Sequence, residues 1–386
     1  MATVDVAVPR NISIDRSLRG KRSDIPGLAF QLAMLACLLV CLAFIVVLLV
    51  TVFDDGIGVF QERGFVLSAF PTELERAIDE TWTFLTNPQG VEGWLLCPLV
   101  LVGVPIGLGL AARARRWRLV LGVVLGISVI YVAAAFIGTS SFLSANVSSL
   151  SSRAGVAQGI FGTVVLAVMT AVVAFPLGVA TAVFLEEYAP DNRFTRFVQL
   201  NIRNLAGVPS VVYGLLGLAV FVKLASSVTG GRTLIAGGLT LAILVLPIVI
   251  ITASEAIRAV PQSLREGGYG VGATQWDVTK TLVLPNAFAG ILTGTILSLS
   301  RAIGETAPLL LVGAVQGFFT TGDANVLQRF SGRYTALPQI VFNWRGEANT
   351  DFAISLTAAA IIVLLVITLL ANLMAVLLRN RFEKRW

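Results

Sequence analysis

The chain has 386 residues, 56% of them hydrophobic and 13% charged, with a mean hydropathy of +0.85. Soluble domains run nearer ~45–50% apolar and ~25% charged, and disordered chains are poorer still in apolar side chains, so both classes are excluded. The net charge of +6 is then a question of how Lys and Arg are distributed across a membrane, ahead of any nucleic-acid role.

In chain order, about eight runs reach the roughly 20 apolar residues that a membrane helix needs. They fall near 28–52, 94–112, 118–139, 156–184, 205–222, 234–253, 289–313 and 353–378. The first is too long for a signal-peptide core and lacks a small-residue cleavage site, so it reads as a retained helix. With the N-terminus inside and strict alternation, 19 Lys and Arg face inward, 8 face outward, and Arg301 stays within a helix. That bias places both termini in the cytoplasm. The divisions expected are a tail 1–27, a first helix 28–52 and an acidic outer loop 53–93. An extra hairpin 94–139, a Ser-rich exposed linker 140–155, a core 156–380 and a tail 381–386 follow. The core holds one large inner loop, 254–288.

Several chemistries are absent. Without histidine there is no His-based zinc site and no Ser-His-Asp triad. No Walker A pattern occurs, so the chain does not itself cradle ATP. Cys37 and Cys41 lie four apart on one expected helix, and Cys97 lies beside another; nothing calls for a disulfide. A membrane enzyme would need a nucleophile or an acid–base set, and none is found.

Inside the loop 254–288, Ser263 with Glu266 has the spacing of a capping box, which predicts a helix from about Leu264. The glycines 267–272 end it, with Gly272 in the left-handed position. Thr274 with Asp277 starts a second helix, which Pro285 limits. Alone, this reads as an ordinary amphipathic loop helix. The stretch also resembles the "EAA" signature of ABC-importer permeases, through Glu266, Gly272, Leu282, Leu284 and Pro285, with Gly267-Gly268 in place of Ala-Ala. That departure weakens the helix by ~1 kcal/mol per Gly relative to Ala. The resemblance implies a coupling helix seated on an ATPase subunit, carried by Glu266, Gly267, Gly268, Gly272, Leu284 and Pro285.

The seventh run contains Arg301-Ala-Ile-Gly-Glu-Thr-Ala-Pro-Leu-Leu310. Counted from residue 289, Arg301 falls near the middle of a bilayer span. A mid-membrane Arg costs ~2.5–3.5 kcal/mol on insertion scales. Glu305, four residues on, shares its helix face, and Pro308 frees the carbonyl of Gly304, predicting a kink. The pair either locks helices together or lines a pathway. A guanidinium fork would suit phosphate or carboxylate oxygens.

The same ten residues resemble the R-A-x-G-E-T-A-P-L-L of phosphate ABC-transporter permeases, the A-type subunit of the Pst system. Gly207–Leu215, Leu337–Ile340 with Trp344, Phe161–Thr163 and Leu185–Tyr188 agree with that family. The resemblance is strong over 155–380, and the hairpin 94–139 looks inserted. It implies an all-α multi-pass protein with the transmembrane domain of a type I ABC importer, and no enzyme activity in this chain. Arg301, Glu305 and Thr306 would line the pathway of inorganic phosphate. Implied partners are a paralogous C-type permease, two ATPase subunits that bind the ATP and Mg, and a soluble periplasmic phosphate-binding protein. The location would be the bacterial inner membrane, in contact with lipid and not nucleic acid. Importers of molybdate, sulfate or phosphonate, and ion-coupled secondary transporters, are the rival classes.

Some signals stay weaker. Glu186, Glu187 and Asp191 read as a solvated face at an inner helix end. Gln199, Asn201 and Asn204 fit either an interfacial segment or the inner mouth. Pro176, Pro209 and Pro247 lie within expected helices, as packing kinks or as hinges. The hairpin 94–139 serves either peripheral packing or a partner contact.

Overall fold

The computed structural model describes residues 25–63, 140–315 and 332–382. The expected hairpin 94–139 and most of the outer loop 53–93 lie outside them. The chain divides into two units, Met1–Thr51 and Val52–Trp386.

The first described element, α1, runs Ile25–Glu62, ten residues past the expected end at 52. From Phe30 to Val50 it presents apolar side chains all round, with Leu38, Phe44 and Leu48 each more than 60% exposed. A helix that is apolar on every face needs lipid or protein around it. Its last turns, in the second unit, have a different task. Val59 is buried in a cluster with Phe142, Ala154, Trp344, Phe352 and Leu356. Arg63 donates to the carbonyls of Ser151 and Ala154 and stands 5.9 Å over the Phe142 ring. Asp54 and Asp55 are therefore helical and not part of a loop.

The Ser-rich linker is not simply exposed. Phe142 and Leu143 are buried in a short helix, Ser141–Ser144. The chain then folds back so that Val156 N–H donates to Phe142 O and Ala157 N–H to Ala145 O. Two large apolar residues outweigh the polar composition around them, because burying each is worth ~1.5–3 kcal/mol.

The core follows. Helix α2 spans Ala157–Val183 and closes in a π-helical turn, Phe184–Tyr188. Helix α3, Arg193–Ala206, is capped by Asn192, whose Oδ1 accepts from Thr195 N–H at 2.8 Å. It leaves Phe194, Phe197, Leu200 and Leu205 exposed. Helix α4, Ser210–Gly217, continues as a π-helical stretch to Leu224. The two meet at 102°, where a single run over 205–222 was expected. Pro209 sits at that corner with ψ 138, outside any helix. A residue before proline is disfavoured in the α region, so the helix stops and the chain turns.

Helix α5, Leu234–Arg258, is the centre of the unit. It packs along α2 and along α8 (below). At Gly178 a Cβ would lie 2.6 Å from Val249 Cγ1, and at Gly290 it would lie 2.7 Å from Ala256 Cβ. Glycine at those two points brings the backbones together. Pro176 and Pro247 are both accommodated inside their helices.

After the inner loop, which carries α6 (Gln262–Gly270) and α7 (Gln275–Val278), comes a π-helical turn, Thr279–Val283. Helix α8, Leu284–Gly304, follows. From Gln275 to Gly304 these form one unbroken helical rod. Pro285 does not limit the second loop helix, as expected, but rides in the first turn of α8, where its missing N–H costs least. Helix α9 is Ala307–Val312 and α10 is Leu337–Arg345. A π-helical turn at Asp351–Leu356 leads into α11, Thr357–Phe382. Among the described residues, five helices are long and apolar enough to cross a membrane, or six with the bent pair as one span. These match the six expected runs outside the hairpin.

Candidate functional site

The residues singled out in the sequence form two groups at opposite ends of the Gln275–Gly304 rod. At 1.5 Å per residue, α8 alone separates them by ~30 Å, the hydrocarbon thickness of a bilayer.

At the far end, Arg301 stands in the last turn of α8. It is 17 positions past Leu284, not twelve into a span, because the loop helix runs into α8 without a break. The C-terminal end of a helix dipole favours a cation there. Arg301 Nε is 3.3 Å from Glu305 Oε1. The guanidinium is 49% exposed and the carboxylate 19%. The expected kink at Pro308 is a full break: α8 ends at Gly304, Glu305 is extended with ψ 118, and α9 begins anew. Thr306 occupies the N-cap position of α9 without a side-chain cap bond, and its carbonyl accepts from Leu310 N–H at 3.0 Å. Ending α8 there leaves Glu305 free to return to Arg301. Behind the pair, Ala302 is buried with Tyr213 and Val245, and Ser300 Oγ donates to Ile296 O at 3.0 Å while also bonding Asn372 of α11. In front, Leu297, Arg301 and Gly304 form an exposed stripe on α8.

At the near end, the loop is built from two short helices, of which one is capped by a side chain. The Ser263–Glu266 capping box does not form: α6 begins at Gln262 behind Pro261, and no side chain caps it. Proline fixes the entry dihedral and starts the helix two residues earlier. Glu266 and Gly267 face outward. Gly268 is buried, and a Cβ there would lie 2.8 Å from Val278 Cγ2 and 2.9 Å from Leu282 Cδ1. So the second glycine of the pair lets α6 close on the rod. Gly272 is left-handed, φ +79, as the turn required. Thr274 and Asp277 make a complete capping box. Leu284 and Pro285 start α8, separated from Glu266 by the buried contact at Gly268. Tyr269, Val271 and Trp276 are exposed, as are Glu266 and Asp277, so the loop presents both apolar and acidic groups.

The charges expected to form a solvated face do something else. Arg258 holds Glu186 bidentately, Nε–Oε2 at 2.6 Å and Nη2–Oε1 at 2.8 Å. Arg265 Nη2 is 2.8 Å from Glu187 Oε1, with side-chain exposures of 13% and 4%. Asp191 alone of the three is open to solvent, paired to Arg196 at 2.9 Å, whose guanidinium holds that carboxyl below the usual carboxylate range. The hint in the sequence was opposite charge on two inner segments. An acidic pair closes the apolar α2, and an Arg directly precedes Glu266. Among the described residues no cluster of His, Cys, Asp and Glu could hold a metal ion.

Residues 174–384 match the family described as binding-protein-dependent transport system inner membrane component. Over 175 residues the chain is 36% identical to the probable ABC transporter permease protein YqgI of Bacillus subtilis, covering 45% of this chain and 58% of that one. Over 225 residues it is 32% identical to the phosphate transport system permease protein PstA 1 of Mycobacterium tuberculosis, covering 58% of this chain and 70% of that one. The match thus spans a little over half the length of YqgI and more of PstA 1. A solved MetNI methionine ABC transporter in an inward-facing conformation aligns with a TM-score of 0.47 at 16% identity, over 59% of this chain and 96% of that one. With more than half of its length matched, this all-α, multi-pass chain belongs to the inner membrane components of binding-protein-dependent transport systems, the permeases of ABC importers.

Proposed function

We propose that this chain is the A-type permease subunit of an ATP-driven phosphate importer, set in the bacterial inner membrane with both termini cytoplasmic. The observation that carries the reading is the half-exposed Arg301–Glu305 pair. It lies in a ten-residue stretch that resembles phosphate permeases, on a chain 32% identical to a protein named for phosphate transport. A guanidinium offers a planar, two-pronged donor to a tetrahedral oxyanion. Glu305 neutralises it while the path is empty and must yield when phosphate arrives. Thr306, at the break between α8 and α9, adds a hydroxyl donor to the same wall.

Half a wall is not a conduit, so a paralogous C-type permease would face the exposed stripe on α8. The loop 254–288 would seat on one of two ATPase subunits, through Glu266 and the exposed apolar groups of the loop, with Gly267, Gly268, Gly272, Leu284 and Pro285 shaping the loop. Those subunits bind the ATP and Mg and hydrolyse the nucleotide; this chain does not. A soluble phosphate-binding protein would deliver cargo at the opposite face. The core 156–380 does this work.

The test is phosphate uptake by the reconstituted complex, for wild type and Arg301→Lys, with molybdate, sulfate and phosphonate as competitors. Lysine keeps the charge and loses the fork. Uptake falling at least about 100-fold, with ATPase subunits still co-purifying, is the expected result. Unchanged uptake in Arg301→Lys would remove Arg301 from the path. Inhibition by molybdate or sulfate at concentrations where phosphate saturates would assign another oxyanion. Uptake without ATP would assign a secondary transporter.

A further inference from the structure

The inner end of α2 and the loop helix α6 are bound together more tightly than a surface contact requires. Glu187 is nearly fully buried and receives Arg265 through two nitrogens, Nη2 at 2.8 Å and Nε at 3.2 Å. Arg265 is fixed on its other side by the carbonyls of Val260 at 2.7 Å and Ile257 at 2.9 Å. Those carbonyls belong to the turn where α5 hands over to α6. Gln275, the first residue of α7, donates its side-chain amide to the backbone carbonyl of Glu187. One residue of α2 is thus gripped from both ends of the loop. Next to it, Glu186 takes Arg258 from the end of α5.

Two physical facts give this arrangement a direction. A buried, multiply bonded ion pair keeps its geometry, because separating the charges leaves each uncompensated in a poor solvent. And the acidic pair lies in a π-helical turn, Phe184–Tyr188, a local widening that recurs at functional places in helices. The apolar cluster around Ala182, Ile257, Val260, Val278 and Val283 backs the same junction. So α6 cannot shift without either breaking the pair or carrying α2 with it.

We propose that Arg265 and Glu187 are positioning residues that transmit displacement of the loop helix to α2, so that α2 follows the ATPase together with the helices joined to the loop. The inference rests on the reading of 254–288 as the ATPase-docking loop. It adds a specific output path, through α2, to the direct covalent path into α8.

The experiment uses the full reconstituted complex and three readouts: co-purified ATPase, ATP hydrolysis, and phosphate uptake. The variants are Glu187→Gln and the paired apolar replacement Glu187→Leu/Arg265→Met, which leaves no buried charge. A third variant, Glu187→Cys/Arg265→Cys, is made in a background with Cys37, Cys41 and Cys97 replaced by Ser, and is joined by a short bis-maleimide. Expected is ATPase bound at wild-type stoichiometry with hydrolysis retained. Uptake per ATP should fall at least about tenfold in the first two variants, and recover in the cysteine pair only after cross-linking. Recovery by a covalent tie is a result that a merely structural pair would not produce. Full uptake per ATP in the apolar pair would overturn the proposal. So would loss of bound ATPase in the variants, which would make the pair a shaper of the docking surface. Wild type that binds no ATPase would sink the docking reading itself, and the proposal with it.

Discussion

Two adjacent glycines in the inner loop show how little a residue type says without its surroundings. Gly267 and Gly268 replace the alanines of the familiar pattern, and from sequence alone both simply loosen α6. In the structure nothing lies within 4 Å of a Cβ at Gly267, whereas one at Gly268 would press on Val278 and Leu282. Gly267→Ala should therefore stabilise the protein by up to ~1 kcal/mol, the helix-propensity difference. Gly268→Ala should gain nothing or destabilise by ~1–3 kcal/mol through overpacking. Thermal unfolding in detergent distinguishes them: the first midpoint rises and the second does not. The same lesson applies to Glu186 and Glu187. Their charge was legible and their burial was not, because burial depends on Arg258 and Arg265, which are more than seventy positions away. Arg301 and Glu305 were legible as a pair because spacing of four on a helix is a local fact. The full break beside them was not, since Pro308 alone is compatible with either a kink or a stop.

Elements were read well where apolarity is continuous and poorly where it is short. Runs of some twenty apolar residues announce themselves, and α2, α5 and α11 fall close to their expected places. The corner between α3 and α4 was missed because apolar residues continue on both sides of Pro209 and hide the turn. The Ser141–Ser144 helix was missed because two buried residues in a polar stretch make no pattern. Helix α10 illustrates what such short pieces contribute. Trp344 is fully buried and meets the Phe352 ring at 5.6 Å, in the cluster that ties α10 to the end of α1, the linker and α11. Trp344→Ala should cost ~3–5 kcal/mol, seen as a lower unfolding midpoint and reduced membrane yield. It should leave ATPase binding per folded molecule unchanged, because the cluster lies away from the inner loop.

For the whole molecule, the asymmetry of Lys and Arg predicts the orientation. On that expectation the ends of α2 and α5, the loop 254–288 and both termini share the cytoplasmic side. A fluorescent reporter that matures only in the cytoplasm should light when fused after Trp386, and a reporter that works only outside should stay silent there. The reverse pattern would invert the topology and move the docking loop to the wrong face. Fold class was readable because it rests on composition summed over hundreds of residues. The pairing of distant segments was not, because it rests on single contacts.

The Gln275–Gly304 rod has a mechanical consequence. Its close approaches to α5 are at Gly290 and, one turn on, Gly294, between the loop at one end and Arg301 at the other. A stiff bar held at an intermediate point is a lever, and its tips travel in opposite senses. The arms from Gly290 are roughly 22 Å to Gln275 and 17 Å to Arg301 at 1.5 Å per residue. A swing of the loop end about that contact would become an opposite swing of the arginine end, reduced to about three-quarters by the arm lengths. On such a seesaw, the loop and the arginine would move in opposite directions without any signal passing between them.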